Sequence, residues 1–234
     1  INITENCVIG DAEKQITIVP LDESVKMYLC VFGETATDVV FQNLVIDGKN
    51  LPCTYAIDIH SYRVADELAY CTFDNITVEN VASTWIPVTV TATSAEIKNC
   101  RFANNTGHLC GALRVGTTAY TNITDSTFYC NKSSGVGGAI NCQGKLEMTN
   151  CTINGNEAAF ETTDAHAGGG ILVNSAAYCK VTSCTITGNS ATLGGGIAVH
   201  GEAEMIDTAV YGNTGKNGAD DVRMIADAAF RMSY

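Results

Sequence analysis

The stretch Thr182–Val199, TSCTITGNSATLGGGIAV, contains two short phrases that recur in the same order elsewhere in the chain. The first phrase, TSCTITGN, resembles TNCTINGN at Thr149–Asn156. The second phrase, GGGIAV, resembles GGGILV at Gly168–Val173. Because both phrases return at nearly the same separation, the chain is interpreted as a series of internal repeats, and a period of roughly 20–50 residues is typical of solenoid proteins.

Seven segments align on one apolar position, called here the anchor column: Ile46, Val78, Phe102, Phe128, Ile153, Ile186 and Val210. Three residues before each anchor stands a short polar residue of the polar column: Asn43, Asn75, Asn99, Asp125, Asn150, Ser183 and Asp207. Three residues after the last five anchors stands the asparagine column: Asn105, Asn131, Asn156, Asn189 and Asn213. If the repeats stack, we expect the amides of these columns to bond from one coil to the next as ladders that face inward.

The second phrase returns once per repeat, as CGAL at Cys110–Leu113, GGAI at Gly137–Ile140 and GGGI at Gly168–Ile171 and Gly194–Ile197. Apolar and polar residues alternate around both phrases, as in KVTSCTI, and this period of two is typical of β-strands. Short strands that cannot bury a face alone predict an all-β parallel solenoid of about eight coils, stacked about 4.8 Å apart. The glycines are expected at a tight corner, with the following Ile or Leu entering the core.

The chain carries only three prolines and has no linker-like tract, so a single domain is predicted over residues 1–234. The repeats are clear over residues 97–222 and divergent over residues 1–96, and residues 223–234 are expected to cover the last coil as a charged cap. The start, INITENCVIGD, lacks the basic and apolar regions of a signal peptide. The chain is therefore interpreted as a fragment of a longer surface protein or as one whose signal was removed.

The paired phrases FYCN with GGAI, and ITGN with GGGI, resemble the FxxN and GGA[ILV] repeats of polymorphic outer membrane proteins of the chlamydial type. They also resemble related right-handed parallel β-helix repeat proteins on microbial surfaces. The resemblance implies a right-handed, single-stranded parallel β-helix used for adhesion, display or spacing at an extracellular or cell-surface location. It further implies partners such as a host or self surface glycan or protein, and flanking domains of the same chain.

Composition narrows the function classes. The chain is 46% hydrophobic and 16% charged, which predicts a folded core. A net charge of -12 with no basic run argues against nucleic-acid partners, and no apolar run approaches the ~20 residues of a membrane span, so no direct membrane insertion is expected. The eleven cysteines are either buried small residues or members of disulfides. Possible glycosylation sites lie at the sequons of Asn2, Asn75, Asn104, Asn122, Asn131 and Asn150.

A carbohydrate-active enzyme is the alternative function, because the β-helix also resembles the scaffold of pectate lyases. Such chemistry needs a proton-abstracting base and cations grouped on one face. The densest polar patch contains Asp58, His60, Arg63, Asp66 and Glu67, for which a salt-bridged loop is the simpler interpretation. No catalytic residue, metal ligand or cofactor site is therefore predicted.

The strand that follows the glycine corner carries polar residues at its expected outward positions. A candidate ligand face is predicted there, formed by Arg114, Asn141, Gln143, Asn174 and His200. Repeated at coil spacing, these hydrogen-bonding groups suit an extended glycan or a partner strand, and no two are placed as acid and base. Trp85, the single tryptophan, stands at a degenerate glycine corner, where it either stacks on a sugar or fills a packing gap.

Overall fold

The computed structural model describes residues 2–3, 5–20, 29–32, 38–60, 70–91, 94–159, 167–216, 218–225 and 227–234. Within these ranges every regular element is a β-strand, and the strands form three long sheets. The chain visits the sheets in the constant order A, B, C, and each return to a sheet adds a strand beside the previous one. This is the predicted parallel solenoid.

The strands of sheet A are Asn2–Ile3, Leu29–Phe32, Ile57–His60, Val88–Thr91, Leu113–Val115, Ile140–Cys142, Ile171–Val173, Ile197–Val199 and Val222–Met224. Those of sheet B are Cys7–Gly10, Ile16–Ile18, Asp38–Asp47, Tyr70–Glu79, Ser94–Lys98, Arg101–Ala103, Tyr120–Thr124, Thr127–Tyr129, Lys145–Thr149, Thr152–Asn154, Tyr178–Thr182, Thr185–Thr187, Glu202–Ile206, Ala209–Tyr211 and Ala229–Ser233. Those of sheet C are Pro52–Cys53, Ala82–Ser83, Thr106–Gly107, Lys132–Ser133, Glu157–Ala158, Ser190–Ala191, Thr214–Gly215 and Gly218–Ala219. Since nine strands of sheet A enclose eight turns, the prediction of about eight coils is confirmed.

The anchor column forms one continuous stack in the core. Phe102 pairs in register with Val78 on one side and with Phe128 on the other, and the stack continues through Ile153 and Ile186. The rings of Phe102 and Phe128 are parallel, with centroids 4.8 Å apart. The register predicted for these residues is confirmed, and the buried stack supplies much of the apolar area that stabilises the fold.

The glycine corner is as tight as predicted. A Cβ atom on Gly138 would lie 1.9 Å from the carbonyl oxygen of Gly169, and one on Gly169 would lie 2.2 Å from that of Gly195. Successive backbones therefore approach too closely for any side chain. The residues that follow the corner, such as Ile140 and Ile171, are fully buried.

The inward ladder is formed by the asparagine column. Its five side chains are at most 1% exposed. The Nδ2 group of Asn131 donates to Asn156 Oδ1 at 2.9 Å, and that of Asn156 donates to Asn189 Oδ1 at 2.8 Å. Each Oδ1 also accepts the backbone amide of the ladder residue one coil earlier, as between Asn131 N–H and Asn156. The backbone amide and the Nδ2 group of each residue in the asparagine column thus have an acceptor, as buried donors need.

The polar column does not face inward, and that part of the prediction is wrong. Its members lie at the bend between the two strands of sheet B and have φ angles near +50°: Asn43, Asn75, Asn99, Asp125, Asn150, Ser183 and Asp207. Most of these side chains are exposed. Asn and Asp tolerate the left-handed conformation better than other non-glycine residues, and this explains the preference. Bonds between coils still occur from Asn75 to Asn43 and from Asn150 to Asp125.

The cysteines two residues before the anchors act as serine or threonine equivalents. The backbone amide of Cys151 donates to Cys184 Sγ at 3.2 Å, just as that of Cys184 donates to Thr208 Oγ1. The thiols of Cys151 and Cys184 donate in turn to the carbonyl groups two residues earlier. All ten cysteines that the structure describes are free, and the buried-residue alternative holds for eight of them, since only Cys7 and Cys130 are partly exposed.

The C-terminal segment adds one strand to sheet A and one to sheet B beside the preceding coil. Val222–Met224 and Ala229–Ser233 join sheets A and B in parallel register. Asp221, just before the first of these strands, ends the asparagine ladder. Its Oδ1 atom accepts hydrogen bonds from both the backbone amide and the Nδ2 group of Asn213.

Candidate functional site

The outer face of sheet A is more enclosed than the sequence suggested. Arg114, Asn141 and Leu172 are paired in register at the outward position, as predicted. Asn141 and Leu172 are nevertheless only 2% exposed. Asn141 donates to the carbonyl group of Leu109, which immediately precedes the corner that begins at Cys110. Asn141 is therefore a buried structural residue, not an open ligand contact.

The remaining polar groups of this predicted face bond mainly to one another. The guanidinium group of Arg114 donates twice to Gln143 Oε1, at 3.1 and 2.7 Å. Asn174 Nδ2 donates to Asn141 Oδ1 at 2.7 Å and to the carbonyl group of Cys142. The structure thus brings these four residues together as two hydrogen-bonded pairs, Arg114 with Gln143 and Asn174 with Asn141. His200 lies farther along, beside the turn at residues 174–177, in a cleft of about 540 Å³ that Tyr178, Glu202 and Asp227 also line.

The outer face of sheet B carries a row of side chains that sequence reasoning missed. Tyr70 and Tyr120 are both in register with Ser94, and Lys145 lies between Tyr120 and Tyr178. The Lys145 ammonium group is 4.7 Å from the ring centroid of Tyr120 and 5.9 Å from that of Tyr178. Such cation–π contacts orient both rings. We call Tyr70, Tyr120, Lys145 and Tyr178 the tyrosine–lysine row.

A parallel column of carboxylates holds this row in place. The hydroxyl group of Tyr70 donates to Glu96, and that of Tyr178 donates to Glu204 at 3.0 Å. Lys145 forms an ion pair with Glu147 at 2.8 Å, and this contact lowers the pKa of the Glu147 carboxyl group. Partial burial, together with the bond to Glu204, raises the pKa of Tyr178 to about 12. At neutral pH the Glu147 carboxyl group is therefore ionised, and the Tyr178 hydroxyl group is a protonated donor.

Residues 26–168 match the model of the family described as the right-handed beta helix region, and this is more than half of the chain. The chain belongs to the right-handed β-helix family. Neither the curated proteins nor the solved structures contain a match to it. The right-handed β-helix is a general repeat fold of both enzymes and surface proteins, so its function must be argued from its surface. Among the described residues of this β-helix, no helix is long and apolar enough to cross a membrane.

The densest polar patch of the sequence, which bears on the enzyme alternative, lies only partly within the described residues. Asp58 is 6% exposed on sheet A of the β-helix. Arg63, Asp66, Glu67 and the side chain of His60 lie outside the described residues. In the part of the chain that the structure describes, no group of three His, Cys, Asp or Glu side chains has the geometry to hold a metal ion.

The β-helix separates the possible glycosylation sites by exposure. Asn75, Asn104 and Asn150 are exposed, and Asn122 is half-buried. Asn131 is 1% exposed and bonded within the asparagine ladder, so its sequon is inaccessible in the folded chain and its place among the possible sites is wrong. The side chain of Asn2 lies outside the described set.

Proposed function

We propose that this β-helix is a non-catalytic extracellular or cell-surface repeat domain for adhesion or display, and that it binds an extended glycan along the outer face of sheet B. The tyrosine–lysine row is the observation that carries this proposal. The row places tyrosine rings two coils apart, about 10 Å from each other, on a rigid parallel sheet. An extended polysaccharide repeats regularly along its length, so regularly spaced aromatic rings with polar groups beside them suit its binding.

The row is preorganised, which favours binding. The hydroxyl groups of Tyr70 and Tyr178 each donate to a carboxylate one coil farther along, that of Glu96 and that of Glu204. Lys145 is fixed by Glu147 and by the two rings beside it. A side chain that is already ordered loses less conformational freedom when a ligand binds, so less of the contact energy is lost. Tyrosine is also among the residues that most often dominate binding surfaces.

The electrostatics of the same face favour binding over catalysis. A glycosidase or lyase needs one group that donates a proton and one that accepts a proton. The surroundings of the two groups must give them different pKa values, each suited to proton transfer near neutral pH. Here the pKa of Glu147 is lowered by Lys145, so that this carboxylate is a weak base. A polysaccharide lyase or hydrolase remains the alternative, and the test below includes it.

The test uses the purified domain on an array of extended polysaccharides and surface glycans, with Tyr120→Ala/Tyr178→Ala as the variant. Loss of two ring contacts is expected to weaken binding at least about tenfold, since hot-spot residues contribute more than 1 kcal/mol each. Tyr129→Ala is the matched control, because Tyr129 is 43% exposed but lies outside the row. It belongs to Thr127–Tyr129, the second of the two sheet B strands in its coil. The control should bind like the unmodified domain.

Equal binding by the double variant and the unmodified domain would refute the assignment of this face. Binding to a protein on the same surface, with no glycan bound, would retain adhesion but replace the ligand class. Turnover of any polysaccharide by the purified domain, measured as new reducing ends or unsaturated products, would overturn the non-catalytic function in favour of the enzyme.

A further inference from the structure

A second surface feature lies on the side of sheet C, around Trp85. A cleft of about 370 Å³ opens there, lined by Ser83, Thr84, Thr106, Gly107, His108, Lys132 and Ser134. Trp85 directly follows the lining residue Thr84, and its ring centroid is 5.6 Å from that of His108, which lines the cleft. Trp85 is 38% exposed, so it does not serve merely to fill a packing gap.

The walls of the cleft are held by bonds to neighbouring coils. Ser83 accepts the Trp85 backbone amide, and the Trp85 carbonyl group accepts the backbone amide of His108 at 2.8 Å. The imidazole Nδ1 of His108 is 3.1 Å from Ser134 Oγ one coil farther along. The aromatic pair and the hydroxyl group thus keep fixed relative positions. A site of this kind is largely formed before its ligand arrives.

The charge of the cleft differs from that of the whole molecule. The chain has a net charge of -12, yet the lining residues include Lys132 and His108 and no carboxylate. Glu157 contacts Lys132 from outside the cleft, at 2.9 Å, and both side chains are about half exposed. The ammonium group therefore retains N–H donors for a second anion on its cleft side.

We infer that this cleft binds one anionic sugar residue, a pyranose whose charge comes from a carboxylate or a sulfate group. The apolar face of the pyranose would lie against the indole of Trp85, as amphipathic ligands do against aromatic rings. The anionic group would bind Lys132, and the hydroxyl groups of Thr84, Thr106 and Ser134 would contact those of the sugar. The cleft is remote from the tyrosine–lysine row, so this inference does not depend on the proposed function.

Intrinsic fluorescence gives a direct assay, because Trp85 is the only tryptophan of the chain. The probes are glucuronic acid, glucose 6-sulfate and glucose, titrated at low ionic strength. A saturable change in Trp85 emission is expected with one or both anionic sugars, at least about fivefold tighter than with glucose, and weakened by added salt. A response to glucuronic acid alone identifies the carboxylate as the source of the charge, and a response to glucose 6-sulfate alone identifies the sulfate.

Three variants sharpen the test. Lys132→Gln should weaken the binding of the anionic sugar at least about fivefold, while Glu157→Gln should strengthen it because a competing carboxylate is removed. Lys14→Gln changes the net charge equally at an exposed residue elsewhere and should have no effect. Tyr120→Ala/Tyr178→Ala should also leave this titration unchanged, which separates the cleft from the face of sheet B.

Several results would overturn the inference. These are no saturable change with any of the three sugars, equal affinity for glucose and the anionic sugars, or an unchanged affinity in Lys132→Gln. Trp85→Phe removes the fluorescent probe, so this variant is tested by calorimetric titration, where retention of the aromatic ring should preserve most of the affinity. Trp85→Ala should abolish binding in the same titration.

Discussion

Removal of one amide from the middle of the asparagine ladder is expected to be among the most destabilising single changes in this protein. Asn156 is 0% exposed. Its Oδ1 accepts two hydrogen bonds from Asn131, and its Nδ2 donates to Asn189 and to the carbonyl group of Phe128. A further bond runs from Nδ2 to the carbonyl group of Asn154. Asn156→Ala removes all five bonds and leaves the buried backbone amide of Asn131 without its acceptor.

The magnitude follows from the net value of each bond. An intramolecular hydrogen bond contributes about 0.5–1.5 kcal/mol, and a buried donor left unpaired costs about 1–3 kcal/mol. Because bonds in one network do not add independently, we expect a loss of about 3–5 kcal/mol in the free energy of unfolding. This is a large share of the roughly 5–15 kcal/mol by which a native domain is stable.

The assay is equilibrium urea unfolding, followed both by far-ultraviolet circular dichroism and by Trp85 fluorescence. Two probes are needed because a solenoid unfolds in parts when its coils differ in stability. Asn150→Gly is the matched control: Asn150 is exposed at φ +54°, a conformation that glycine adopts freely, so a change of less than about 1 kcal/mol is expected.

A third variant separates hydrogen bonding from packing. Asn156→Asp keeps the volume of the side chain but replaces the two N–H donors by a carboxylate that faces carbonyl oxygens, so it should cost at least as much as Asn156→Ala. If Asn156→Ala lost less than about 1 kcal/mol, or if Asn156→Asp were tolerated, the ladder would not be the stabilising element inferred here.

Further substitutions test the corners and the thiols. Gly138→Ala should lower the urea midpoint by an amount equivalent to about 1–3 kcal/mol, because its Cβ would lie 1.9 Å from a carbonyl oxygen; an unchanged midpoint would contradict the close approach. Cys130→Gly should raise the midpoint slightly, since Cys130 has φ +52° at a position where the next three coils carry glycine, and relief of about 1 kcal/mol is the upper limit. Burial raises the pKa of Cys110 and Cys142 to about 12, so peptide mass spectrometry should show that iodoacetamide modifies them only after unfolding, and labelling of the native chain at mildly alkaline pH would count against this burial.

Much of the fold follows from offsets within the repeat. The anchor and asparagine columns are predictable because a residue that recurs at a constant offset in stacked coils must meet the same neighbours in each coil. Asn156 illustrates this, since its identity and position repeat in four other coils. The glycine corner is predictable for the same reason.

The predicted orientation of the polar column is wrong because a residue with a positive φ angle interrupts the alternation of inward and outward side chains along the strand. Counting by twos from the inward residue Met148 assigns Asn150 to the interior. Yet Cys151, at the next position, is buried as well as Ile153. Met148 and Cys151 both face inward although they are three positions apart, so the alternation must break between them. Asn150, at φ +54°, provides this break. The odd spacing was visible in the sequence.

The candidate site was less predictable because exposure on a β-helix depends on how the turns lie. Leu172 and Ala198 at outward positions were a sign that sheet A is covered, since strands buried on both faces show continuous apolar runs. The tyrosine–lysine row had a signal too, because Tyr120 and Tyr178 begin equivalent five-residue strands. The cleft at Trp85 had none beyond the tryptophan itself, since residues from three coils form it.

The contrast between inward and outward columns supports a functional origin for the row. Inward columns are constrained by packing, so their chemistry repeats in every coil whatever the protein does. An outward hydrogen bond such as that from Tyr178 to Glu204 adds only about 0.5–1.5 kcal/mol net, and the stacking of the coils does not require it. The same tyrosine-to-glutamate hydrogen bond nevertheless occurs twice at equivalent positions of sheet B, from Tyr70 to Glu96 and from Tyr178 to Glu204. A repeated arrangement that adds little to folding but fixes the direction of each ring is what a binding face needs.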